Sequence, residues 1–160
     1  MEYYVGEEIH SHLSNIYVLL QKVMPEEDFE PDDLISEENP KAMKHLLLYK
    51  DVYEGIGKKP FLREVIGYLC YIDYVSYNYL MIIGVGKEYQ GHGIGGLLWE
   101  EMNKRNEEKK NVWCKIHREN EKSKRFFEKN GFEKRWKKEI PDGMKKSYRK
   151  PYDGYEWIWK

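Results

Sequence analysis

The stretch Gly84-Val85-Gly86-Lys87-Glu88-Tyr89-Gln90-Gly91-His92-Gly93-Ile94-Gly95-Gly96 decides how this chain folds. It leaves an apolar run, Tyr79-Leu80-Met81-Ile82-Ile83, and enters residues 93–106, where Ile94, Leu97, Leu98 and Met102 recur at helical spacing. Glycines at 91, 93, 95 and 96 let the backbone turn sharply and approach a ligand closely. The first N–H groups of the helix have no intrahelical acceptor, and no acid stands in it before Glu100. Its positive end is an anion site, a tight packing turn being the alternative. Val112-Trp113-Cys114-Lys115-Ile116 follows as another short strand. Strand, glycine-rich turn, helix and strand make a crossover, which requires the two strands to run parallel.

Upstream, Ile9, Leu13, Ile16, Leu20 and Val23 mark an amphipathic helix over residues 9–24, ended by Pro25. Residues 45–53, 63–75 and 78–85 read as three strands with hairpin-length links at 55–60 and 76–78. The second and third are almost continuously apolar, the pattern of central strands covered on both faces. Downstream, Asn120 as N-cap and Gly131 at C′ bracket a helix over 121–130. Residues 132–140 read as one further strand; Tyr155, Trp157 and Trp159, alternating with Glu156, Ile158 and Lys160, read as another antiparallel to it. The expected fold is α+β, a mixed and mostly antiparallel sheet of six or seven strands. About four helices and a central parallel β-α-β crossover complete it, in one domain spanning 1–160.

The 160 residues are 41% hydrophobic and 34% charged, too apolar for a disordered tail and too charged for a membrane protein. The longest apolar run, residues 79–86, falls far short of the ~20 residues of a membrane helix, and no basic, apolar leader opens the chain. Cys70 and Cys114 sit inside strand-like stretches with no CxxC spacing, and are read as reduced core thiols of a cytoplasmic protein. The net charge of −1 conceals an asymmetry: residues 1–80 hold 15 acids and 7 bases, residues 81–160 hold 13 acids and 20 bases. The near-neutral total argues against general nucleic-acid binding, while the two halves suit ligands of opposite sign. Residues 25–40 carry eight acids and no base, either as a solvated loop or as an attractor of cations, with a short second helix opening at Pro31. His10 and His12, two apart on a helix, cannot face one metal ion together; both are read as surface residues, and no metal site is expected.

Gly91, Gly93 and Gly96 satisfy G-x-G-x-x-G, but a dinucleotide fold puts that motif near the start of a βαβ series and an acid at the tip of the next strand. Here three strands come first and the next strand ends at Ile116-His117; the Lys-Ser/Thr ending of a P-loop is also missing. Gln90-Gly91-His92-Gly93-Ile94-Gly95, five residues after Val85, instead resembles the Q/R-x-x-G-x-G/A signature of the GCN5-related N-acetyltransferases. Asn120, Ser123, Phe126, Phe127, Asn130, Gly131 and Phe132 resemble the second signature of that family, N-x-x-A-x-x-F-Y-x-x-x-G-F. The strong match covers residues 79–132.

The resemblance implies transfer of an acetyl group from acetyl-CoA to a primary amine, on a small molecule or a peptide, by direct attack in a ternary complex. It puts the CoA pyrophosphate on the backbone N–H groups of Gln90, Gly91, His92, Gly93, Ile94 and Gly95, with Gly96 beside them. The pantetheine arm would run along Ile83, Gly84 and Val85, the thioester carbonyl would meet a backbone N–H near Val85, and Asn120, Ser123, Phe126 and Phe127 would line the far wall. Three residues depart from the family. Lys87 stands where proline is frequent, Phe127 replaces the tyrosine that commonly protonates the departing thiolate, and Tyr79 replaces a glutamate that is the general base in some members. Candidate replacements are Tyr79, His117 and Glu119, with Tyr152 or Tyr155 as outsiders. A general acid or base contributes typically 10²- to 10⁴-fold and proximity ~7 to 11 kcal/mol, so transfer survives such losses. The alternative function is a non-catalytic acyl-CoA-binding or sensing domain. Residues 25–40 occupy the segment that walls the acceptor side in the family, which favours a polycationic amine. Neither nucleic acid nor a membrane is expected as a partner, and a homodimer is left open.

Overall fold

The computed structural model describes residues 4–7, 12–24, 43–53, 62–145 and 151–159. Within them the order is β1 (Tyr4–Gly6), α1 (Leu13–Val23), β2 (Met43–Val52), β3 (Leu62–Asp73), β4 (Tyr77–Val85), α2 (Ile94–Lys104), β5 (Asn111–His117), α3 (Glu121–Lys129), β6 (Glu133–Arg135), α4 (Asp142–Lys145) and β7 (Tyr152–Trp157). The strands form one mixed sheet in the order β1-β2-β3-β4-β5-β7-β6. Among these strands only β4 and β5 run parallel, joined through α2; the other neighbours are antiparallel. The seven strands and four helices match the α+β reading, including the crossover around the glycine-rich turn.

The central parts of β3 (residues 65–72) and β4 (residues 79–85) are apolar because both of their faces are covered. On one face α1 lays Ile16, Leu19 and Leu20 against Leu47, Tyr68 and Ile82. On the other, α2 and α3 set Ile94, Leu98, Trp99, Met102 and Phe127 against Leu69, Leu80 and Cys114. A third cluster, Tyr77, Tyr79 and Trp113 under Ile140 and Met144, extends the α1 face toward β5. Cys70 and Cys114 are free and buried. Burial pushes the Cys70 thiol up to about 12 and raises Cys114 as well, so both are inert packing groups.

Several local expectations shift. Leu97 is 40% exposed, and Trp99 takes its place on the buried face of α2, edge-on to Phe132 and Trp157 with centroids 5.0 and 5.3 Å away. The β3–β4 turn lies at residues 74–76, where the Tyr74 N–H donates to the Tyr77 carbonyl at 3.0 Å, so Tyr77 and Asn78 belong to the strand. Residues 132–140 supply only the three-residue β6. The Glu139 carboxylate accepts from the Trp136 N–H at 2.8 Å and closes a 3-10 turn over Lys137–Glu139, which Pro141 and α4 follow. β7 begins earlier than expected, at Tyr152, and ends at Trp157. β1 has no counterpart in the sequence pattern; Arg105 at the end of α2 binds its neighbour Glu7 at 2.8 Å. His12 is no open surface residue, because its ring stacks on Tyr49 at 6.1 Å and its Nδ1 is buried. His10, the acidic residues 25–40 and the helix expected at Pro31 lie outside the described residues.

Candidate functional site

β4 and β5 pair from Tyr77↔Asn111 to Leu80↔Cys114 and then part, leaving residues 81–85 and 115–117 on the two sides of a wedge. Met81 explains the parting on the β4 side. β3 pairs Cys70 with Ile82 and Tyr71 with Leu80, so Met81 is an extra residue, and such a bulge bends and twists its strand. The phase of the ladder then determines what faces the wedge. The Gly86 N–H donates to the Ile66 carbonyl at 2.9 Å, and antiparallel pairs alternate between bonded and non-bonded. With Gly67 opposite Val85 and Leu69 opposite Ile83, the N–H and C=O groups of Ile83 and Val85 therefore turn away from β3, into the wedge. A strand-like ligand arm finds backbone rungs there, in the N–H and C=O of Ile83 and the N–H of Val85, the Val85 carbonyl being met by Gln90. Gly84 faces α1 instead, with Leu20 and Val23 at 3.3 Å from where its Cβ would stand.

At the mouth of the wedge the 3-10 turn Lys87–Tyr89 is hooked to the sheet. The Tyr89 hydroxyl donates to Glu64 at 3.2 Å, and Lys50 bonds Glu64 at 3.2 Å while lying 4.6 Å from the Tyr89 ring centroid. Hydrogen bonding to Tyr89, and then to Glu64, holds the Lys50 pKa above its ordinary value. Gln90 follows, its Nε2 donating to the Val85 carbonyl at 2.9 Å and its Oε1 accepting from Lys122 on α3. The loop is thereby held against both walls.

Gly91 and Gly93 have φ of +82° and +80°, which L side chains rarely adopt, and Gly93 is the N-cap of α2 with no side chain capping it. No atom lies within 4 Å of where a Cβ would stand at Gly91, Gly93 or Gly96. The open N–H groups at the start of α2 thus face free space, with no acid in the first turn to repel an anion. Gly95 is different, since its Cβ would stand 3.0 Å from the Phe126 ring and α3 packs there. The cradle has the donors, the sign and the room that a pyrophosphate needs, and the wedge behind it has the rungs that a pantetheine arm needs.

The other sequence candidates separate clearly. Asn120 Oδ1 accepts from the Ser123 N–H at 3.0 Å and caps α3. Ser123 and Phe126 are half-buried, whereas Phe127 is 5% exposed and packs on Phe126 and Phe132 in the core. Tyr79 is buried beside Trp113, Ile140 and Met144 on the face opposite α2 and α3. Tyr155 is core on the α2 and α3 face. His117 stands at the free end of β5, its Nδ1 accepting from the Glu119 N–H at 3.2 Å and its ring edge-on to Tyr152 at 5.3 Å. With Nδ1 accepting, the neutral imidazole carries its proton on Nε2. Glu119 itself is exposed and contributes its backbone here. Sequence reasoning misses Lys115, yet its Nζ lies 5.8 Å from the Tyr79 ring centroid and 5.7 Å from that of Tyr152. The alternation of Trp113, Lys115 and His117 along the strand was the available signal.

A model of the acetyltransferase (GNAT) domain matches residues 47–134, more than half of the 160. The chain belongs to the GNAT acetyltransferase family. No curated protein sequence matches it. Among solved structures, a GNAT acetyltransferase from Staphylococcus aureus Mu50 superposes with a TM-score of 0.74 at 16% identity, covering 99% of this chain and 100% of that one. The ribosomal-protein-S18-alanine N-acetyltransferase of Escherichia coli gives 0.73 at 13% identity over 99% and 95%. The PaiA N-acetyltransferase of Thermoplasma acidophilum, solved with coenzyme A, gives 0.69 at 14% identity over 99% and 100%. At these identities the structures speak for the GNAT fold alone.

Proposed function

We propose that this GNAT protein transfers an acetyl group from acetyl-CoA to a primary amine in a ternary complex. The observation that carries the reading is the wedge: outward backbone groups of Ile83 and Val85 leading to an uncapped helix start with open space at Gly91, Gly93 and Gly96. Acetyl-CoA supplies an acetyl group activated as a thioester. The N–H groups of Gly91 through Gly96 hold its pyrophosphate while the Gln90 N–H closes the turn on the Lys87 carbonyl, Ile83 and Val85 pair with its pantetheine arm, and Asn120, Ser123 and Phe126 border it on the α3 side. The Val85 N–H, fixed in direction by the β3 register, polarises the carbonyl that the amine attacks. Phe127 and Tyr79 have neither the acid nor the base of their usual counterparts, and His117, with its Nε2 proton, offers a donor on the β5 wall.

Release of thiol from acetyl-CoA across a panel of amines tests the transfer. His117→Ala is expected to lower kcat at least about tenfold, the low end for a general acid, with acetyl-CoA affinity unchanged. An unchanged kcat removes His117 from the reaction and leaves positioning and the Val85 N–H to carry it. The second reading, an acyl-CoA sensor, is favoured by the buried, hydroxyl-free Phe127; tight acetyl-CoA binding without turnover on any amine would establish it.

The proposal extends to the acceptor. The eight acids of residues 25–40 concentrate cations, and a polycationic amine fits them. Each contact is weak, on the order of 0 to 1 kcal/mol, so several act together. kcat/KM for a polyamine is expected to fall steeply as salt rises from about 50 to about 500 mM, as screening shortens below a Debye length of ~10 Å. Replacing Glu26, Glu27, Asp28 and Glu30 by glutamine is expected to raise KM for the polyamine and to spare acetyl-CoA affinity. A neutral amine that proves the better acceptor would contradict this.

A further inference from the structure

The usual base position holds an aromatic ring, yet an alkylamine has to lose a proton before it can attack. At pH 7 a free amine of pKa ~10.4 is about 0.04% neutral. The residue of β5 at the opening of the wedge is a cation. Lys115 is the first residue of β5 beyond the last β4–β5 pair, so it stands where the wedge opens. It lies on the face opposite α2 and α3, so an acceptor entering the wedge from that face passes it. Its Nζ is 5.8 Å from the Tyr79 ring centroid on β4 and 5.7 Å from that of Tyr152 on β7, within the range of a cation–π contact.

Resting on the proposed acetyl transfer, we infer that Lys115 replaces the missing base by field: its ammonium disfavours the protonated form of the acceptor amine in the ternary complex. A like charge a few ångströms away lowers an amine pKa by about 1 to 3 units. The ammonium gives its proton to bulk water. The freed lone pair then forms the N–C bond as the C–S bond breaks, and the remaining proton lost by nitrogen ends on the thiol. Titratable and charged groups on this face among the described residues include His117, two positions along β5, the Tyr79 and Tyr152 hydroxyls, Glu156 on β7 with its partner Arg135 on β6, His45 on β2, and Asp142 on α4, which raises the Tyr77 hydroxyl pKa beside it after burial and Tyr74.

The pH dependence of kcat tests this, because kcat reports ionisations within the complex. In the native protein the rising limb is expected about 1 to 3 pH units below the pKa of the free amine. Lys115→Met and Lys115→Gln are expected to move it up by at least about one unit, lowering kcat at pH 7 about tenfold or more and recovering it at high pH. Lys115→Arg keeps the charge and is expected to keep the limb. A limb that stays put in Met and Gln variants of native thermal stability and acetyl-CoA affinity overturns the role of Lys115 and leaves acetyl transfer standing. Absence of turnover by the native protein on every amine overturns acetyl transfer itself. Should the Met variant fail to fold, the Gln and Arg pair gives the same comparison.

Discussion

Gly93→Glu is expected to abolish measurable acetyl-CoA binding, a loss of at least about 100-fold by isothermal titration, while the protein stays folded. The residue caps α2 at φ +80° with nothing within 4 Å of its absent side chain. A glutamate there fills the space above the helix N–H groups and sets a negative charge where the pyrophosphate belongs. Backbone strain for a non-glycine residue in the left-handed region is about 1 to 2 kcal/mol, small beside a typical stability of about 5 to 15 kcal/mol. Gly93→Asn is the control, since asparagine tolerates that region and carries no charge; it is expected to bind more tightly than the Gly93→Glu variant. Equal affinity in the native protein and the Gly93→Glu variant would move the anion site away from this loop.

Leu98→Ala is expected to have the largest effect on stability. Leu98 is fully buried on the second turn of α2, and its Cδ1 lies 3.0 Å from where a Cβ would stand at Gly67. The helix rests on a glycine of β3, with no side chain there to fill a void. Leucine-to-alanine changes at such positions cost about 2 to 5 kcal/mol. At about 2 to 4 °C per kcal/mol for a chain of this size, the melting temperature is expected to fall by roughly 4 to 20 °C in calorimetry. Acetyl-CoA affinity is expected to weaken with it, because the same contact sets the height of the helix start over the wedge. A melting temperature within about 2 °C of native would mean that the α2 layer repacks freely.

The fold was legible where local chemistry and long-range packing agree. Glycines between an apolar strand and a helix announce a crossover, and Asn120 and Gly131 bracket α3 as cap and terminator, with the Asn120 side chain bonded as a cap should be. Three kinds of feature were not legible. β1 is three residues long, too short for any periodicity, and exists because β2 offers it an edge. The exchange of Leu97 for Trp99 depends on Phe132 and Trp157, residues far along the chain that give the indole its pocket. The strand expected over 132–140 gives way to a capped turn because Glu139 reaches back to Trp136.

Within the candidate site, the glycine-rich loop and the uncapped start of α2 were legible residue by residue, because glycine and helix-start chemistry are local. The Met81 bulge and the ring-flanked Lys115 could not, since each depends on how neighbouring strands are registered. The side chains nearest the missing acid and base turned out to be packing groups: Phe127 lies in the core and Tyr79 under Ile140 and Met144.

The extra residue at Met81 also bears on how such a protein changes over generations. Because the wedge arises from main-chain phase, nearly any apolar substitution along β4 preserves it, and the signature side chains are free to drift. Deleting one residue between Leu80 and Ile82 would do what many substitutions cannot, since Ile82 would then follow Leu80 directly opposite Cys70 and the ladder would run on without the bend that parts β4 from β5. Heredity in this fold is therefore tolerant of spelling and intolerant of length. Relatives that share only 13 to 16% of their residues can still superpose over 99% of this chain.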